Sequence, residues 1–425
     1  MLNREEGPDI RTIKSLTLPV AQCYELDNGI PVHDLRMGTQ DVVKLEIVFF
    51  TGRPYEKKPL ASRATGALLK GGTAHRSSIA LTEQIDFYGS TLSMPFSLDT
   101  NNIVLYSLVK YFEPLIALVA EMITEPIFPE KELRSFVQRN QQRLKVDLSK
   151  NDVIAYRKIT ECIFGEDHPY GYNSFPETYA ALERKDLLEH YRRLFCAGNC
   201  IIIISGKTND ELIKLLNKYL GQAIPPGKRA AYQDTWLERP VNRLRIPHPN
   251  TVQTAVRIGC RMFNKHHPDF NGLYVLSTIL GGYFGSRLMT NIREDKGYTY
   301  NIFATLDSML FDGYFYIGTE VGNEVVEPTI REIHHEMQVL REELVSATEM
   351  EMLRNYLMGN FLGMLDGPFN ISELLKTMVI EGIPFSAFAH LIETVNTIQP
   401  KQLRDLACKY LNPDNMWEVV VGGEH

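Results

Sequence analysis

Arg293 and Tyr300, seven positions apart in IREDKGYTY, are the side chains of this 425-residue sequence whose types and spacing most invite joint chemistry. One is a permanent cation with a fork of N–H donors and the other is a phenol, so both can donate hydrogen bonds. The residues around them decide whether they can meet. Apolar residues from Leu273 to Leu280 recur at helical spacing and stop at Gly281-Gly282. A second helix reads from Ser286, a fair N-cap, to Lys296, and Gly297 follows as the residue that takes positive φ without steric cost. Tyr298, Tyr300 and Ile302 then alternate with Thr299 and Asn301 as a strand does. Arg293 therefore stands near a helix end and Tyr300 just past the corner, where the two can converge. The competing reading is structural: Arg293 serves the carbonyls at the helix terminus while Tyr300 packs on the sheet.

Other chemistry-bearing residues are less organised. His334, His335 and Glu336 form the one dense His/Glu cluster, but adjacent residues on a helix point in different directions, which suits a solvated face. His248, His266 and His267 read as loop residues. Of the six cysteines only Cys196 and Cys200 are close, without a second pair to complete a zinc site, so buried free thiols are expected. No G-x-S-x-G elbow, H-E-x-x-H helix, Walker loop or dinucleotide loop is present.

The net charge of −7 argues against polyanionic partners, and no basic run supports nucleic-acid binding. A hydrophobic content of 44% with 23% charged residues places the chain among soluble globular proteins, and no apolar stretch approaches bilayer-spanning length. The start, MLNREEGPDIRTIKSL, lacks the layout of an export signal, so a cytoplasmic location is the expectation.

The elements that must position these residues come in two rounds. The first has a strand–turn–strand over Val20 to Arg36 around Asp27-Asn28-Gly29, then a strongly apolar strand from Val42 to Thr51. Helices follow over Leu60 to Leu69, closed by Gly71-Gly72, and over Ile79 to Tyr88, closed by Gly89. Extended segments cover Ser90 to Phe96, an edge position because of Pro95, and Asn102 to Val109. Helical stretches then run on to Phe195, interrupted around His168-Pro169-Tyr170-Gly171, before the apolar strand Ile201 to Ile204. AIPPGKRAA, from Ala223 to Ala231, has linker composition. After it come a strand from Thr254 to Met262, a helix closed by a glycine pair, the Ser286 to Lys296 helix, a hairpin through Leu306 to Thr319, and helices from Val326 and Ala347. The halves repeat one programme, an internal duplication with a unit of about 200 residues. The expected fold class is α+β: two homologous units, each a mainly antiparallel β-sheet with helices packed on one face. The expected units are residues 1–222 and 241–425, joined by a linker at 223–240.

GGYFGSRLMTNIREDKGYTY resembles the arginine–tyrosine motif of the pitrilysin/insulinase-like zinc peptidases, in the branch that contains mitochondrial processing peptidase. LDNGIPV and FTGRPYE in the first half and HPDFNGLYVLSTILGG in the second also fit that family, so the resemblance covers nearly the whole chain. It implies a processing-peptidase-like fold with a zinc helix after the G-x-x-x-E turn, bearing H-x-x-E-H. There two histidines bind the metal, and the glutamate between them is the general base. Anchored on Gly72-Thr73, that window falls on Arg63-Ala64-Thr65-Gly66-Ala67, and the third-ligand region falls around Arg143-Leu144-Lys145. None of these is a zinc ligand or base, so no metal ligand is expected in this chain and zinc is expected in a partner.

In the family the arginine and tyrosine donate to carbonyl oxygens and to the oxyanion of a substrate held at the zinc. Two-subunit members divide that labour between chains. The resemblance therefore implies a non-zinc-binding, catalytically incomplete subunit of a heterodimeric metallopeptidase. Arg293 and Tyr300 would serve the site of a sister subunit carrying H-x-x-E-H, with a peptide as substrate. The alternative is a non-catalytic structural or peptide-binding module of the same fold, a homodimer or a complex core subunit. A third possibility is a self-sufficient peptidase with an unrecognised metal site.

Overall fold

The computed structural model describes residues 16–234 and 236–423. Eleven strands among them form two sheets: β1 (Gln22–Glu25), β2 (Pro31–Arg36), β3 (Val42–Phe49), β4 (Thr91–Ser93), β5 (Asn101–Leu108) and β6 (Cys200–Gly206) make the first. The second contains β7 (Arg243–Ile246), β8 (Gln253–Met262), β9 (Ile302–Ser308), β10 (Gly313–Gly322) and β11 (Trp417–Val421). The spatial orders are β1-β2-β6-β3-β5-β4 and β7-β11-β8-β10-β9.

The two orders are one topology used twice. In each sheet the last strand of the half returns to the middle, parallel to the strand on one side and antiparallel to the other: β6 between β2 and β3, β11 between β7 and β8. Every other pairing is antiparallel. The β1–β2 hairpin turns where the Asp27-Asn28-Gly29 cluster places it, with Gly29 at φ +82°. The short β4 beside Pro95 is an edge strand, as Pro95 demands.

Alternation along the central strands sorts the core. Val43, Leu45, Ile47 and Phe49 of β3 pack with Ala64 and Leu68 of the Ala61–Leu68 helix and with Leu115, Val119 and Met122 of the Phe112–Thr124 helix. In the second half Val256 and Ile258 of β8 meet Leu273, Leu276, Ile333 and Met337.

The opposite faces of both sheets are also covered, by a helix from the other half. Helix Gly367–Glu381 lies on the first sheet, with Ile371 and Leu375 against Leu35 and Ile203. Helix Asn151–Phe164 lies on the second, with Ala155, Ile159 and Ile163 against Ala255, Tyr314, Val419 and Val421. Each half thus packs its own helices on one face and lends one helix to the other half's second face. Charged residues of the strands are buried beneath these lent helices. Lys44, 1% exposed, reaches Glu46 at 3.0 Å and also pairs with Glu373, while Lys376 bonds Glu46 at 3.0 Å. Buried Arg257 pairs with Asp152 and donates to the carbonyls of Val256 and Thr319.

The residues described between Pro225 and Asn242 form no helix or strand, yet they are anchored in the seam. Trp236 Nε1 donates to Ile163 O at 3.1 Å, Tyr232 Oη meets His168 Nε2 at 3.2 Å, and the Arg229 guanidinium lies 3.4 Å from the Phe50 ring centroid.

Candidate functional site

The segment that carries Arg293 is built of two helical pieces and a loop. Helix Phe270–Ser277 passes into a wide π turn over Thr278–Gly282. A Cβ on Gly281 would lie 2.4 Å from Ala304 N, so glycine is what lets this helix end press against β9. The next helix also adopts π geometry, over Met289–Asp295, and buries Met289 and Ile292. Wide turns of this kind recur at functional sites because they re-aim one side chain without ending the helix. Ser286 does not cap it as the sequence suggests: its hydroxyl is buried without a partner. Gly297 does take the left-handed conformation, at φ +67°.

Tyr300 lies before the strand, not in it, since β9 begins at Ile302. Its backbone neighbourhood is pinned all the same: Thr299 Oγ1 donates to Glu320 O at 2.7 Å and Thr319 Oγ1 to Asn301 O at 2.9 Å. The Tyr300 side chain stands 86% exposed. The Arg293 Cζ is 5.1 Å from its ring centroid and 4.6 Å from that of Phe284. The two residues therefore do converge. Among the described residues Arg293 has neither an ion pair nor a hydrogen-bond acceptor, so its donors remain available. The structural reading, in which Tyr300 packs on the sheet, does not match this exposure. Phe284, which the sequence reading passed over, joins them; an aromatic in the loop between two helices was the available signal.

The helix where the resemblance places a metal is filled differently. Glu56, the acid of G-x-x-x-E, accepts from the backbone N–H groups of Leu60 at 3.2 Å and Ser62 at 2.8 Å and from Tyr172 Oη at 2.6 Å. It thus caps the Ala61–Leu68 helix. Burial pushes its pKa up while these donors oppose the shift. Arg63 donates to Tyr179 Oη at 3.1 Å and lies over the Phe96 ring. A Cβ on Gly66 would lie 1.9 Å from Asn101 Oδ1, and the Asn101 amide is held by Thr51 Oγ1 at 2.7 Å and Ser62 Oγ at 3.1 Å. Ala67 offers no donor atom. In the third-ligand region Leu144 is buried and Arg143 lies 3.6 Å from Asp147.

A guanidinium, a hydrogen and a methyl group cannot hold zinc, and an amide fills the space a base would need. Residues and group do not fit. Among the described residues no group of three or more His, Cys, Asp and Glu side chains is arranged to hold a metal ion. His334 is less solvated than expected, approaching the buried Glu418 of β11 at 3.5 Å. His248 bonds Asn151, His266 bonds Glu381 O, and His267 stacks on Phe263. All six cysteines are free.

This duplicated α+β topology, with Tyr300 exposed beside Arg293 and no group among the described residues arranged to hold a metal, fits the fold that the resemblance implies. Residues 181–357 match the family described as Peptidase M16 inactive domain. That match lies mainly in the second half of the chain and agrees with the resemblance to the pitrilysin/insulinase-like group read from the sequence. It is 22% identical to the "Uncharacterized zinc protease YmxG" of Bacillus subtilis (strain 168), over 92% of this chain and 96% of that one. It is 23% identical to the "Non-peptidase homolog YmxG" of Helicobacter pylori (strain ATCC 700392 / 26695), over 56% of this chain and 55% of that one. Its fold is that of the crystal structure of a peptidase M16 inactive domain from Pseudomonas fluorescens, with a TM-score of 0.88 at 21% identity, covering 95% of this chain and 98% of that one.

Proposed function

We propose that this chain is the zinc-free subunit of a two-chain metallopeptidase, supplying Arg293 and Tyr300 to a zinc site on a sister chain that carries H-x-x-E-H. One observation carries the reading: Tyr300 is exposed and the half-buried Arg293 beside it has no acid or acceptor among the described residues, while the helix that would hold metal is plugged by Asn101. No acid among the described residues pairs with Arg293, so an ion pair within this chain does not account for its place beside Tyr300. Placed against a partner's water-excluded cleft, the same two donors stabilise a developing oxyanion strongly. The substrate is a peptide in extended form, which can add as a strand to a sheet edge; β4 ends the first sheet and exposes Thr91 and Ser93.

The test is co-expression with a sister chain bearing H-x-x-E-H, followed by size-exclusion chromatography and metal analysis. The expected result is a one-to-one pair with one zinc per pair, abolished by mutating the sister's histidines but not by R63A in this chain. Stoichiometric zinc in this chain alone, or failure to pair with any such sister, overturns the reading. The name of the Helicobacter pylori relative, a non-peptidase homolog, favours a second reading, a non-catalytic structural or peptide-binding module. In that case a pair would form, or this chain would pair with itself, without turnover.

A further inference from the structure

Phe284 is 58% exposed, and its ring lies closer to the Arg293 guanidinium than the Tyr300 ring does. The loop that presents it is not slack. Tyr283, immediately before it, stacks on Tyr356 with ring centroids 4.7 Å apart, and Gly285 presses against the Tyr283 ring, where a Cβ would lie 2.9 Å from Cε2. Two residues further on, Arg287 makes a paired contact with Glu349 at 2.8 and 2.9 Å. The backbone of Phe284 is thus tied on both sides to the helix Ala347–Met364.

The chemistry of the contact matters. A carboxylate holding Arg293 would occupy the N–H donors it bonded and cancel the charge. An aromatic face attracts the cation through its π electrons and leaves the donors in the guanidinium plane free. Arginine has several rotatable bonds, so a guanidinium in open solvent spends little time in any one place. A donor meant for a substrate oxygen needs fixing without being used up.

We propose that Phe284 is a positioning residue: together with Tyr300 it holds the Arg293 guanidinium in place, donors free, for a carbonyl oxygen in the partner's zinc site. This rests on the two-chain reading above. Two measurements separate its failure from that of the reading. The first uses this chain alone: phenylglyoxal labelling of Arg293, followed by peptide mass spectrometry. F284A is expected to raise the labelling rate several-fold while F284Y keeps the wild-type rate; equal rates for wild type and F284A overturn the stack.

The second uses the pair with its zinc-bearing sister and an unstructured fluorogenic peptide. F284A should lower kcat about tenfold at unchanged KM, with F284Y close to wild type and F284L close to F284A. It should cause no further loss in an R293A background. An equal loss in both backgrounds overturns the positioning role. If R293A itself leaves turnover intact while the labelling result stands, the two-chain reading falls and the stack is left without a reaction to serve.

Discussion

A Cβ at residue 66 would fall 1.9 Å from an amide oxygen that cannot easily retreat, because Asn101 is buried and bonded to Thr51 and Ser62. G66A should therefore destabilise the fold by about 1–3 kcal/mol in urea unfolding, the cost of overpacking. The triple variant R63H/G66E/A67H, which rewrites the motif, should gain no stoichiometric zinc by metal analysis. His190 shows how far burial reaches on the neighbouring helix. It is 3% exposed, bonds Thr51 O through Nε2 at 2.9 Å and leaves Nδ1 without a partner. Burial lowers its pKa from 6.5 to about 4. The unfolded chain takes up the proton first, so this histidine's contribution is complete above the ordinary pKa and is lost as pH falls toward the folded value. The loss should approach roughly 3 kcal/mol by pH 4. H190Q should flatten the difference in stability between pH 7 and pH 4.5, and an unchanged slope would show that His190 is not the group titrating. At this scale the sequence was legible where spacing alone decides, as for the closeness of Arg293 to Tyr300 and the left-handed conformation of Gly297. It was silent on Asn101 and Glu56, whose roles depend on partners brought from other elements.

Strand β3 shows why elements were easier to find than their surroundings. Alternation put Leu45, Ile47 and Phe49 on one face, and they are core. The same rule put Lys44 and Glu46 on the other face, which reads as solvent for a sheet with helices on one side. The lent helix Gly367–Glu381 covers them instead, and nothing local to either segment records that meeting. Removing one member of the network should be costly. E46A leaves the Lys44 ammonium buried with one fewer partner and should cost about 3–5 kcal/mol, whereas K44M/E46L should lie within about 1 kcal/mol of wild type. Equal destabilisation by both would mean that shape rather than charge holds the lent helix. Strand β11 escaped notice for a different reason. WEVVV near the end of the chain is too short for periodicity to tell strand from buried helix, and only its place between β7 and β8 makes it central.

The exchange of helices makes the whole molecule one cooperative object although its topology is duplicated. A protease site inserted after the exposed Leu237 should yield two fragments that stay together on native size-exclusion chromatography and part only in denaturant. Fragments that separate freely and each melt at the intact temperature would contradict the exchange. That interlocking also fixes where the second half presents its Arg–Tyr corner relative to the first, which the proposed role of completing a partner's site would require. The most direct test of that role is the turnover of the pair formed with a zinc-bearing sister when Arg293 is replaced by alanine. The predicted result is a fall in kcat of about 10²–10³ with pairing and zinc content unchanged. Turnover equal to wild type in a fully assembled, fully loaded pair would contradict the account.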